Sequence, residues 1–158
     1  NAAWAKTKDA VLMLPLPEDR SPVAPVAAKG SVAYMRDVDG LSGTVMRLGG
    51  SGSLEIPHST ALNGTSGLTL AAWIRPAEFP ATGMRIIDKC PVSAARGYLL
   101  DTYPKDSLRL ITRDPHLIHP AKLPLNEWTH VAATVDGKTG QQTLYVNGKV
   151  VTVTPEKN

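Results

Sequence analysis

Helical periodicity is almost missing from this 158-residue sequence, as are cysteine, aromatic side chains and any concentration of charge. The single Cys90 excludes an internal disulfide and any multi-cysteine zinc site. Beside Pro91 it suits a small apolar filler better than a reactive thiol. Three Trp, four Tyr and one Phe make up only 5% of the residues, so few flat stacking surfaces are on offer. Seventeen basic residues against fourteen acidic ones leave a net charge of +3, and no five or six of them run together. That scatter reads as a solvated surface and excludes a polybasic site for nucleic acid or an anionic membrane. No stretch approaches the ~18 consecutive apolar residues of a spanning helix, so no membrane span is expected. Residues 1–8 lack the apolar segment of a signal peptide, which places any export signal upstream or already removed. With one cysteine, the chain keeps a secreted, extracellular or periplasmic address open.

Apolar residues are plentiful at 42%, enough for a core in one domain spanning 1–158. Most apolar runs are short, β-branched or alternating, and end at Gly, Pro, Asn or Asp. They predict strands near residues 10–14, 31–35, 44–48, 53–56, 68–74, 84–88, 98–102, 108–112, 128–135, 142–146 and 149–153. Turn signals stand between them at Asp39-Gly40, Gly49-Gly50, Asp136-Gly137 and Asn147-Gly148. The last is the strongest, because Asn-Gly supplies both positive-φ positions of a type I′ hairpin. Prolines at 15, 17, 22 and 25 make 15–30 an irregular arm. The fold class is therefore all-β, an antiparallel sandwich or barrel.

Alternation separates the faces of two strands. Leu68, Leu70, Ala72 and Ile74 share one side of the first, and Thr69, Ala71, Trp73 and Arg75 the other. Val131, Ala133 and Val135 oppose Trp128, His130, Ala132 and Thr134 in the second. A sandwich buries the aliphatic faces, so the mixed faces point outward or line a groove.

The order of these pieces resembles the laminin-G-like, concanavalin A-like jelly-roll domains. The matching residues begin with Leu48-Gly49-Gly50-Ser51-Gly52-Ser53-Leu54-Glu55-Ile56-Pro57 and Leu68-Thr69-Leu70-Ala71-Ala72-Trp73-Ile74-Arg75-Pro76. Ile86-Ile87-Asp88-Lys89, Gly97-Tyr98-Leu99-Leu100-Asp101 and Leu108-Arg109-Leu110 follow. The most specific block is Leu125-Asn126-Glu127-Trp128-Thr129-His130-Val131-Ala132-Ala133-Thr134-Val135-Asp136-Gly137, then Leu144-Tyr145-Val146-Asn147-Gly148-Lys149. The resemblance covers roughly residues 45–152 and implies two curved antiparallel sheets that bind carbohydrate or protein. Such domains continue beyond the Asn-Gly hairpin into closing strands. Here only residues 150–158 follow, so either the closing C-terminal strands are missing and the chain is part of a longer polypeptide, the reading favoured because an open edge strand is an aggregation hazard, or the sheets close differently. The family's calcium site often draws on that region, and no cofactor is expected.

Catalytic patterns are absent. Retaining glucanases need two carboxylates about 5 Å apart, and no Glu-x-Asp-x-x-Glu occurs. The acid pairs Glu18/Asp19 and Asp37/Asp39 sit among turn formers and read as solvated loop charges. Gly49-Gly50-Ser51-Gly52 reads as a tight turn rather than a phosphate loop. His116 and His119 lie between prolines with no third metal ligand in view, so no metal site is assigned. Asn63-Gly64-Thr65 is a glycosylation sequon that matters only in a eukaryotic secretory host.

The aromatics remain. A pyranose presents an apolar C–H face to a flat ring while neighbouring polar groups take its hydroxyls. The candidate ligand-binding residues are Trp73, Arg75, Tyr98, Asp101, Tyr103, Arg109 and His130, with no catalytic residue. Core packing competes for several of them, and Trp128 reads as a packing anchor. The expected role is a non-catalytic carbohydrate-binding accessory module of a larger secreted protein. The rival is a protein-adhesion or packing module with no sugar site.

Overall fold

The computed structural model describes residues 27–38, 41–64, 66–90, 97–112, 116–120 and 122–154. The strand expected at 10–14, most of the 15–30 arm and the Asp39-Gly40 turn lie outside the described residues. Among those described there are ten strands, all paired antiparallel, and no α-helix. The chain divides into two compact units, Asn1–Asn63 and Gly64–Asn158.

In the first unit, β1 (Ala27–Val38) pairs with β2 (Leu41–Glu55). Two expectations change here. Residues 27–30, assigned to the arm, belong to β1. The two strands expected at 44–48 and 53–56 are one, because Gly49-Gly50-Ser51-Gly52 is not a turn but an irregularity inside β2. Lys29 faces Ser53 while Ser31 faces Gly49, so three residues of β2 oppose Gly30 alone. A Cβ at Gly52 would stand 2.2 Å from the Ser31 carbonyl oxygen. Glycine is needed there for close backbone approach, a use of strand glycine that sequence cannot separate from a turn.

The second unit contains β3 (Gly67–Ile74), β4 (Met84–Asp88), β5 (Leu99–Thr102), β6 (Leu108–Ile111), β7 (Leu117–His119), β8 (Thr129–Asp136), β9 (Gln142–Val146) and β10 (Lys149–Val153). These form two four-stranded sheets, ordered β10-β9-β8-β3 and β4-β5-β6-β7. Strand β7 was not expected, since three residues between prolines carry no readable alternation. It exists because Leu117 pairs with Leu110 and falls into the core.

Leu70, Val131, Ala133 and Leu144 from one sheet meet Leu100, Leu108, Leu110 and Leu117 from the other in a single buried cluster. Leu100, Leu108, Leu110 and Leu144 are fully buried, and each such side chain contributes roughly 1.5–3 kcal/mol through burial. The unit is thus an antiparallel β-sandwich, with the inward residues of each strand alternating with outward ones.

Two turns set the register of the first sheet. Asn147 and Gly148 adopt φ of 49° and 75°, and Val146 pairs with Lys149 across them, as a two-residue hairpin requires. The Asn147 side-chain oxygen also accepts a hydrogen bond from the His130 backbone N–H (2.9 Å), tying the hairpin tip to β8. At the other end, Asp136 Oδ1 accepts from the backbone N–H groups of Lys138 (2.8 Å) and Thr139 (2.7 Å), closing the β8–β9 turn.

Candidate functional site

Strand pairing decides which outward side chains become neighbours. Trp73 lies directly opposite His130, so the two mixed faces read from the sequence are one face of one sheet. Their rings meet edge to face, with centroids 5.3 Å apart and planes inclined at 62°. The next cross-strand row is Ala71, Ala132, Tyr145 and Val150. Beyond it runs Thr69, Thr134, Thr143 and Val153. The Tyr145 and Thr134 hydroxyls are 3.5 Å apart, linking these rows.

Trp73 is 46% exposed because its row-mates along β3 are small: Ala71 and Thr69 leave the indole standing above its surroundings. Val150, at 58%, and Val153, at 42%, extend the open surface to the β10 edge. The resulting face combines one projecting indole, an imidazole, a phenol and the hydroxyls of Thr69 and Thr134 over an alanine floor, with Thr143 buried beside them. It offers a stacking surface with hydroxyl donors and acceptors beside it. Tyr145, Thr69 and Thr143 were not among the candidates read from sequence. The signal was the alternation within 142–146, which becomes informative only once β9 is known to pair with β8.

Arg75, one residue beyond β3, continues on the same side. Its Nε donates to the Asn126 carbonyl at 2.9 Å, and the Asn126 N–H donates to the Pro76 carbonyl at 2.8 Å. Arg75 therefore ties the end of β3 to the loop that leads into β8. Trp128 is half-buried in that approach to β8.

Asp101, Tyr103 and Arg109 come together elsewhere, on the outward face of the β4-β5-β6-β7 sheet. Asp101 and Arg109 are cross-strand partners. Arg109 donates from Nε to one carboxylate oxygen (2.9 Å) and from Nη2 to the other (2.6 Å). The pair is largely buried, with side-chain exposures of 6% for Asp101 and 16% for Arg109. Tyr103 covers the guanidinium, its ring centroid 4.1 Å from Cζ, a cation–π stack. Arg85, the other cross-strand neighbour of Asp101, is paired with Asp88. Both arginines named here thus have a carboxylate partner.

The seven candidates thus divide. Trp73, Arg75 and His130 lie on one side of the sandwich, and Asp101, Tyr103 and Arg109 on the opposite side. Tyr98 belongs to neither, being 9% exposed within the core cluster. Burial raises its pKa above the ordinary tyrosine value, because the phenolate would lose its hydration. Asp136 moves the other way, its carboxylate held below the usual range first by the backbone N–H groups of Thr139 and Lys138.

Of the remaining sequence leads, His119 Nδ1 lies 3.3 Å from the Thr152 hydroxyl and joins the edges of the two sheets. No group of three His, Cys, Asp or Glu side chains is close enough to hold a metal ion among the described residues. Cys90 is half-buried rather than enclosed, and its N–H donates to Asp88 Oδ1 at 2.8 Å.

A two-sheet antiparallel sandwich with an open aromatic sheet face defines a lectin-like β-sandwich module. The family model of the concanavalin A-like lectin/glucanases superfamily, of laminin-G type, matches residues 48–158, and the chain belongs to that family. None of the curated proteins compared with the chain matches it.

Proposed function

We propose that the chain is a non-catalytic carbohydrate-binding module that holds a polysaccharide on the outward face of β3, β8, β9 and β10. The observation that carries this reading is the exposed Trp73 ring, braced edge-on by His130 and surrounded by threonine and tyrosine hydroxyls. A pyranose stacks on the indole while its hydroxyls exchange hydrogen bonds with His130, Tyr145 and Thr134. The family includes glucanases as well as lectins, but among the described residues of these strands this side carries a single carboxylate, Asp136 at the end of β8, and hydrolysis of the retaining or inverting kind needs two. The reading implies a secreted or periplasmic setting in which flanking domains of a longer polypeptide act on the polysaccharide this module holds.

A glycan array probed with the wild-type chain and with Trp73→Ala tests the proposal. Binding to one glycan group, weakened at least about tenfold by loss of a central aromatic anchor worth about 2 kcal/mol, is the expected result. Tyr103→Ala, on the opposite face, leaves binding unchanged. An array that stays blank with folded protein rejects the proposal. The rival reading, a protein-contact face, draws on the exposed Val150 and Val153. It gains if a partner protein binds through Trp73 and is not displaced by soluble glycans.

A further inference from the structure

We infer that the glycan held on this face is an uncharged polysaccharide lying across the strands, an inference that rests on the carbohydrate reading above. The three cross-strand rows contribute ten outward side chains from four strands, and none is Asp, Glu, Lys or Arg. Charged residues make up 20% of the chain, and the opposite face of the same sandwich sets Arg85, Asp101 and Arg109 side by side across β4, β5 and β6. Charge on this side stands only at the ends of the rows, Arg75 beyond Trp73 and Asp136 opposite Gly67, so the neutrality belongs to the centre of the Trp73 face. An acidic polysaccharide brings a carboxylate or sulfate every few rings. Each would lose hydration against alanine and valine, and the cation that flanks these rows, Arg75, already donates to the Asn126 carbonyl. A neutral chain loses only hydroxyl hydration, which threonine, tyrosine and histidine restore.

The face is also long enough for more than one ring. Trp73 and Tyr145 are two strands and two residues apart, about 12 Å by strand spacing and rise, a span of a few linked sugars. Both aromatics therefore contact one extended chain, with Ala71 and Ala132 forming the low ground between them.

Beads carrying a neutral β-glucan, a neutral galactomannan or polygalacturonate decide the matter, incubated with the chain at mildly alkaline pH. Expected is retention on a neutral bead, changing less than about twofold between about 50 and about 500 mM salt, because no ion pair is screened. Trp73→Ala and Tyr145→Ala each reduce it, and polygalacturonate retains nothing. Thr69→Lys, at an exposed position of the edge strand, acquires retention on polygalacturonate that disappears at the higher salt. Wild-type retention on polygalacturonate alone, lost with salt, overturns this inference and leaves the carbohydrate reading standing. Folded protein that passes through every bead overturns both. Retention on neutral beads that ignores both aromatic substitutions overturns the placement on this face.

Discussion

Arg109 grips both carboxylate oxygens of Asp101 from the neighbouring strand, at 2.9 and 2.6 Å, beneath the ring of Tyr103. The geometry is a bidentate fork, the strongest form of carboxylate hydrogen bonding. Because Asp101 is nearly fully buried, removing the guanidinium leaves a charge with neither water nor partner. Arg109→Leu should therefore cost about 3–5 kcal/mol, read as a lower urea midpoint. Adding Asp101→Leu to that variant should recover much of the loss, since the stranded carboxylate goes too.

Asn147 has two separable roles. It tolerates φ of 49°, and its side chain accepts the His130 N–H. Asn147→Ala loses both and should destabilise by about 1–2 kcal/mol in urea unfolding. Asn147→Gly keeps the backbone freedom and forfeits only the hydrogen bond, so its cost should be visibly smaller.

The acid limb of the stability curve should carry a contribution from Asp136. Its folded pKa is lowered by hydrogen bonds from Thr139 and Lys138. The unfolded chain therefore binds the proton more readily. Stability from this group is present above the ordinary aspartate value of about 4 and lost as pH falls through the folded value. Unfolding measured against pH should show a shallower acid slope in Asp136→Asn.

Tyr98 acts at the other end. Burial raises its folded pKa, so its contribution is complete below the ordinary value of about 10 and is lost as pH rises through the folded value. Tyr98→Phe should lessen the alkaline loss of stability in the same titration.

Core and face should respond differently to truncation. Leu144→Ala, at a fully buried position of β9, should cost about 2–5 kcal/mol. Val150→Thr, on the exposed edge strand, should change stability by no more than about 0.5 kcal/mol. Thermal melts of the pair give the comparison directly.

Much of the fold was legible because its strands alternate cleanly. The expected strands at 84–88, 142–146 and 149–153 have the observed bounds, and the faces of β3 and β8 are those read from Leu70 against Trp73 and from Val131 and Ala133 against His130. Strand β7 and the continuous β2 were not legible. Three residues are too few for a period, and a glycine run that admits a neighbouring backbone has the composition of a turn. The site was legible only in part. Trp73 and His130 could be assigned to outward faces, and the Asn147-Gly148 hairpin to its turn type, from local pattern alone. Tyr103, Arg109 and Asp101 stood out equally well, yet sit on the other sheet of the sandwich.

Residue alternation, turn chemistry and the blocks around Trp128 and Asn147 are local properties, so the sequence by itself determined an all-β sandwich of this family, matched over residues 48–158. Which outward residues share a face depends on sheet order, a long-range pairing that no local pattern encodes. Tertiary structure alone put Trp73 across from His130, added Tyr145 two strands away, sent Tyr98 into the core and matched Arg109 to Asp101. Hydrophobic burial drives that sorting. Each strand must turn its aliphatic side inward, and what remains outside is assembled from whichever strands the core requires to be neighbours.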